Sequence, residues 1–209
     1  PMSTIITSID PDSPAMRAGL RTGQQLLTIN GHAVVDVLDY RFYGYDPVSH
    51  LTLKNEDGST RKLTVRKAEG EDLGLNFDTY LMDEMRSCAN HCIFCFVDQM
   101  PPGMRQTLYF KDDDARLSFL QGNYITLTNL TEREAQRIID LRISPINVSV
   151  HTTDPQLHCT MLGNKNAAKS LDYIRAFCKA GIVMNGQIVV CPDWNDGDRL
   201  RRTLRDLTE

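Results

Sequence analysis

The chain has 209 residues and a formal net charge of −4, with hydrophobic residues at 41% and charged residues at 24%. Those proportions fit one or two globular domains and exclude a disordered chain, a collagen repeat or a coiled-coil rod. The weak negative charge gives no strong attraction to nucleic acid or to an anionic membrane. No stretch reaches the roughly 18 to 20 apolar residues of a membrane span, and Pro1 to Asp10 lacks the pattern of a signal peptide, so a cytoplasmic protein is expected.

The first part of the chain is short-period and turn-rich. Thr4 to Ile9 reads as a strand, and Ala15 to Ala18 as a brief helix stopped by Gly19. Gln25 to Ile29 is a second strand, turned by Asn30-Gly31. Val35 to Tyr43 reads as a helix with Val35, Leu38 and Phe42 on one face. Ser49 to Asn55 and Thr60 to Lys67 make a hairpin around Asp57-Gly58, and Glu69-Gly70-Glu71-Asp72 is the best boundary candidate. The order Ser13-Pro14-Ala15, Ala18-Gly19-Leu20, then Gly23 to Gly31 with Ile29-Asn30-Gly31, resembles bacterial PDZ modules. The carboxylate-binding loop of that family is missing ahead of the first strand. Leu73-Gly74-Leu75-Asn76-Phe77 resembles it at the other end, which implies a permuted PDZ-like domain over residues 1–77. The resemblance implies a peptide or protein C-terminus as partner, taken by strand addition. A groove left unused or self-occupied is the alternative.

The second part alternates strand-like and helix-like segments, the mark of βα units on a parallel sheet. Tyr80 to Met85 reads as a strand leading into Cys88-Ala89-Asn90-His91-Cys92-Ile93-Phe94-Cys95. Three of six cysteines within eight residues suggest soft-metal ligands or redox thiols, whereas Cys159, Cys178 and Cys191 read as small core residues. Three thiolates suit an iron–sulfur cluster with one iron left open. Zinc, with His91 as a further ligand, and a Cys92–Cys95 redox pair are the alternatives.

The C-x3-C-x2-C spacing with Phe94 before the third Cys resembles the radical S-adenosylmethionine (radical SAM) superfamily. The resemblance implies that Cys88, Cys92 and Cys95 hold a 4Fe–4S cluster and that Phe94 contacts the adenine of S-adenosylmethionine. It also implies reductive cleavage of that cofactor to a 5′-deoxyadenosyl radical, hydrogen abstraction from a substrate, and a need for an electron donor.

Downstream, Leu117 to Leu130 reads as a second strand, and Thr131 with Glu134 as a capping box that starts a helix. Relatives place Gly-Gly-Glu at this strand end, where this chain has Thr128-Asn129-Leu130, making Asn129 or Thr128 the candidate contact for the cofactor's amine. Asn147 to Asp154 reads as the third strand and its loop; the resemblance assigns Ser149 to the cofactor, and His151 lies two residues on. Ala167 to Ala180 reads as a helix and Ile182 to Val190 as the fourth strand. Asn185 and Gln187 share one face of that strand and resemble ribose contacts. The acidic run Asp112-Asp113-Asp114 reads as a solvated face.

"CIFCFVDQMP", "RLSFLQGNYITLTN" and "MLGNKN" together resemble bacterial iron–sulfur proteins of the DUF512-associated group. The expected fold class is α/β: an N-terminal PDZ-like β-rich domain, residues 1–77, followed by an incomplete radical SAM (β/α) partial barrel, residues 78–209. Only about four βα units are expected there, fewer than such barrels usually have, so the chain reads as truncated. A peptide-binding adaptor with an inactive barrel is the alternative function.

Overall fold

A computed structural model describes residues 4–208, so the start of the segment read for a signal peptide, residues 1–3, lies outside it. The chain divides into two compact units, one ending at Met85 and the other starting at Arg86. No helix among the described residues is long and apolar enough to cross a membrane.

The first unit contains β1 (Ile6–Ile9), α1 (Pro14–Arg17), β2 (Gln25–Ile29), β3 (His32–Ala33), α2 (Val37–Tyr43), β4 (Val48–Lys54), β5 (Thr60–Arg66) and β6 (Leu75–Phe77). Its main sheet runs β3-β2-β4-β5 and is antiparallel throughout. Asn30 and Gly31 both take positive φ, 51° and 85°, as a two-residue hairpin turn requires. Leu26, Ile29, Leu51, Leu53 and Val65 bury the inner face of that sheet. The last strand, β6, pairs antiparallel with the first, β1. Two expectations fail here. Helix α2 buries Val37, Leu38 and Tyr40, while Val35 and Phe42 are exposed. The helix starts two residues later than expected, because Asp36 caps it, and its inner face rotates accordingly. Tyr80 to Met85 forms turns rather than a strand. Leu81 and Met82 are buried, and the Leu81 carbonyl accepts from Val37 N–H at 3.3 Å, so this segment is spent on anchoring to α2.

The second unit contains a 3-10 turn (Gln106–Tyr109), α3 (Ala115–Gln121), α4 (Glu132–Asp140), β7 (Ile146–Ser149), α5 (Pro155–Leu162), α6 (Lys169–Lys179), β8 (Met184–Gln187) and α7 (Gly197–Thr208). Strands β7 and β8 are parallel and in register, Asn147 against Asn185 and Ser149 against Gln187. On the other side of β7, Ile125 makes a single parallel bridge to Val148. The unit is therefore α/β around a short parallel sheet, and no closed barrel is present among the described residues.

The stretch 117–130 departs from the expected strand. Its first part belongs to helix α3, which Asp114 caps and Gly122 ends in the left-handed conformation. The acidic run is likewise corrected. Asp112 is exposed, but Asp113 and Asp114 are each 2% exposed. Asp114 takes a forked contact from Arg116, Nε to Oδ1 at 2.9 Å and Nη2 to Oδ2 at 2.6 Å. Asp113 accepts from Thr126 N–H at 2.6 Å and from its hydroxyl at 2.5 Å. A buried carboxylate needs such partners, and local charge density carries no sign of them. The capping box forms at α4, where Glu134 N–H donates to Thr131 Oγ1 at 3.3 Å and Thr131 N–H to Glu134 Oε2 at 2.9 Å.

Candidate functional site

The cysteine loop is held from two sides. Its N–H groups at His91 and Ile93 donate to the carbonyls of Leu162 and Met161, both at 2.9 Å, at the C-terminal end of α5. Helix ends leave such carbonyls free, so the loop completes the helix. Gly163 permits the contact, because a Cβ there would stand 2.4 Å from the His91 carbonyl oxygen. On the other side, Cys88 N–H donates to the Lys111 carbonyl at 2.6 Å, and Ser87 bridges Asp112.

Asn90, between the first two cysteines, is 1% exposed and is the hub of the loop. Its Nδ2 donates to the hydroxyls of Thr126 at 3.1 Å and Thr128 at 2.9 Å. Its Oδ1 accepts from Asn164 Nδ2 at 2.7 Å. Its main-chain carbonyl accepts from Lys111 Nζ at 2.7 Å. One side chain thus ties the loop to the Thr126–Thr128 segment and to the Asn164 loop beyond α5. Nothing in the sequence pattern singles out Asn90, Lys111 or Asn164, and Asp113 reads there as solvated; the phrase "MLGNKN" is the nearest signal for Asn164.

Cys88, Cys92 and Cys95 are each partly buried and free. Burial, with the neighbouring Cys88 and Cys95 thiols, pushes Cys92 up to about 12, and burial raises Cys88 as well. The three thiols are a donor set that a cationic iron–sulfur cluster would satisfy, with release of protons. By type and number they fit three of the corners of a 4Fe–4S cluster, whose ligands are spread over four irons. Among the described residues no group of three or more His, Cys, Asp or Glu is gathered to hold a single metal ion.

Phe94 packs beside Cys92 against Met161, Leu162 and Ala167, and its ring meets that of His151. His151 is buried at the end of β7, and burial followed by the nearby His158 lowers it to about 4, so its ring is neutral. Ser149 and Gln187 face each other at the C-terminal ends of β7 and β8, hydroxyl to Oε1 at 3.5 Å. Asn185 lies two residues further back and donates to Asn147 Oδ1 at 2.8 Å. Asn129 donates to the carbonyls of Asp113 at 3.1 Å and Ser87 at 3.4 Å. Thr128 and Asn129 also line a cavity of about 700 Å³ with Lys165 and Lys169.

In the first unit, the Leu73–Phe77 loop is already engaged. Gly74 N–H donates to Asp72 Oδ1 at 2.7 Å, and Leu75 N–H to the Tyr40 hydroxyl at 3.3 Å. That hydroxyl donates in turn to Asp72 Oδ1 at 2.9 Å. An internal carboxylate thus holds an N–H group of this loop.

Among curated proteins, none matches the chain. Residues 5–66 match a PDZ domain, and residues 67–209 match the Radical SAM-like domain family. The second match covers more than half of the chain, and its span contains the cysteine loop with Asn90, Phe94 and the β7–β8 pair; the chain belongs to the Radical SAM-like domain family, with a PDZ domain ahead of it.

Proposed function

We propose that this chain carries the cofactor site of a radical SAM enzyme, with Cys88, Cys92 and Cys95 as ligands of a 4Fe–4S cluster. The observation that carries the reading is the partly buried thiol triplet on a loop braced by α5 and by Asn90, within the Radical SAM-like match. When bound, the cluster and S-adenosylmethionine supply a strong one-electron reductant beside a sulfonium, and hence a 5′-deoxyadenosyl radical that takes hydrogen from a substrate. The chain's own residues bind and orient. Phe94, backed by His151, offers a flat apolar face to an adenine. Ser149 and Gln187 present a hydroxyl and an amide at the strand ends, where ligands of parallel sheets collect, and Asn185 extends that polar row. The Asn129 amide nitrogen is occupied by carbonyls, which leaves its oxygen to accept from the cofactor's amine. An external electron donor is required. By its motifs the chain is also proposed to be similar to the bacterial DUF512-associated group.

The PDZ module is proposed to run through Phe77, beyond the matched residues 5–66, because β6 pairs with β1. Its partner is proposed to be a peptide added along a strand, or a C-terminus that displaces Asp72 from the loop.

A peptide-binding adaptor without catalysis is the second reading. It is favoured by Thr128-Asn129-Leu130, which lacks a carboxylate, and by the Thr128 hydroxyl being committed to Asn90.

Anaerobic reconstitution tests both. About four irons and four sulfides per chain, with 5′-deoxyadenosine formed on adding dithionite and S-adenosylmethionine, supports the enzyme. A loaded cluster that yields no deoxyadenosine supports the adaptor. Zinc retained in place of iron, or iron content unchanged by Cys92→Ser, defeats the ligand assignment.

A further inference from the structure

We propose that the Lys111–Asp98 ion pair sets the electrostatic potential at the cysteine loop, Lys111 raising and Asp98 lowering the reduction potential of a cluster held there. The inference rests on the radical SAM reading above and assigns a role to two residues outside it.

Lys111 is fixed beside the first cysteine, since its carbonyl accepts from Cys88 N–H at 2.6 Å. Its side chain runs back across the loop. Nζ donates to the Asn90 carbonyl at 2.7 Å and to both Asp98 carboxylate oxygens at 3.0 Å. Asp98 in turn follows the third cysteine, and its N–H donates to Cys95 Sγ at 3.5 Å. The backbones of the pair thus meet the first and third cysteines, and its ion pair closes the loop from one end to the other.

The two charges are unequally covered. The Lys111 side chain is 16% exposed and that of Asp98 41%. Solvent therefore screens the carboxylate more than the ammonium, and the pair does not cancel at the thiols. Both Asp98 carboxylate oxygens hold Lys111 Nζ at 3.0 Å, so the ammonium stays in place over the loop. A resident cation favours the more negative, reduced state of a redox centre, and a resident anion opposes it.

A clamp with only a mechanical role would behave differently. Removing either partner would loosen the loop in the same direction. A charge role demands shifts of opposite sign, which a double-mutant cycle separates.

The full chain is reconstituted anaerobically and its cluster is titrated at one fixed pH. The reduced fraction is read by low-temperature electron paramagnetic resonance. Lys111→Met is expected to lower the reduction equilibrium by about tenfold, equivalent to about 59 mV for a one-electron couple. Asp98→Asn is expected to raise it, and the double variant to return close to the parent. Shifts in the same direction, or none, overturn the proposal. Should Lys111→Met fail to load, Asp98→Asn alone decides: a higher potential supports the charge role and an unmoved one defeats it. A parent chain that takes up no iron instead defeats the underlying reading.

Discussion

The rings of Phe94 and His151 meet with centroids 4.5 Å apart and planes inclined at 58°. This contact joins the cysteine loop to the end of β7. His151 holds a left-handed backbone, φ 59°, which a non-glycine residue adopts at a cost of about 1–3 kcal/mol. Three hydrogen bonds keep it there. Its N–H donates to the Gln187 carbonyl at 3.2 Å, and its carbonyl accepts from Asn195 Nδ2 at 2.8 Å. Its Nδ1 accepts from Val189 N–H at 3.1 Å, which places the ring proton on Nε2. Protonating Nδ1 would break that bond.

The pH dependence of stability follows from His151. Its folded value of about 4 lies below the ordinary 6.5, so the unfolded chain binds the extra proton between those values. His151 thus contributes stability that is complete above about pH 6.5 and is lost as pH falls toward 4. Asp113, raised to about 6 by burial, acts in the opposite sense, because its folded state holds the proton over much of the same range. The His151 contribution is isolated as a difference. Urea unfolding at pH 4.5 and 7 should show a smaller gain with pH in His151→Gln than in the parent. Equal gains would mean that the imidazole is not held neutral.

Asn90→Ala should destabilise the chain by about 2–3 kcal/mol, since several buried polar groups lose a partner at once. Asn164, Thr126 and Thr128 are the groups affected. Chemical denaturation of the metal-free protein measures it. A loss under about 0.5 kcal/mol, the range of ordinary surface substitutions, would remove Asn90 from the role of hub.

Gly163→Ala should loosen the cysteine loop. The added Cβ meets the His91 carbonyl oxygen at 2.4 Å, and the backbone at φ 59° is strained for alanine. The His91 and Ile93 amides, bonded to Leu162 and Met161, should then exchange hydrogen faster. Gly181→Ala is the comparison, having positive φ but nothing within 4 Å of the new Cβ. If both variants leave those two amides equally protected, the close approach does not govern the loop.

At the PDZ unit, Asp72→Asn keeps the acceptor for Gly74 N–H and Tyr40 while removing a negative charge. Hydrophobic-ended hexapeptides with free carboxylates should bind about tenfold more tightly to the variant, and amidated ones should not change. Fluorescence anisotropy on the two peptide pools reads the difference. An equal gain for amidated peptides would show that Asp72 does not oppose a terminal carboxylate.

What the amino-acid order determined by itself is confined to features that close within a few residues. The Asn30-Gly31 and Asp57-Gly58 turns and the Thr131–Glu134 capping box follow local rules of backbone and side-chain reach. The cysteine spacing with its neighbouring Phe94 belongs to the same class, and it was enough to indicate the family that the comparison shows.

Tertiary structure decided the rest. Tyr80 to Met85 has a strand's composition, but a strand needs a neighbour, and Leu81 and Met82 are drawn into the first unit's core instead. Asp113 and Asp114 look solvated until the N–H groups of Thr126 and Arg86 arrive to help satisfy them. Asn90 owes its role to groups 36, 38 and 74 residues away. A buried polar side chain is tolerable only when its partners converge in space, and that convergence exists only once the chain has folded.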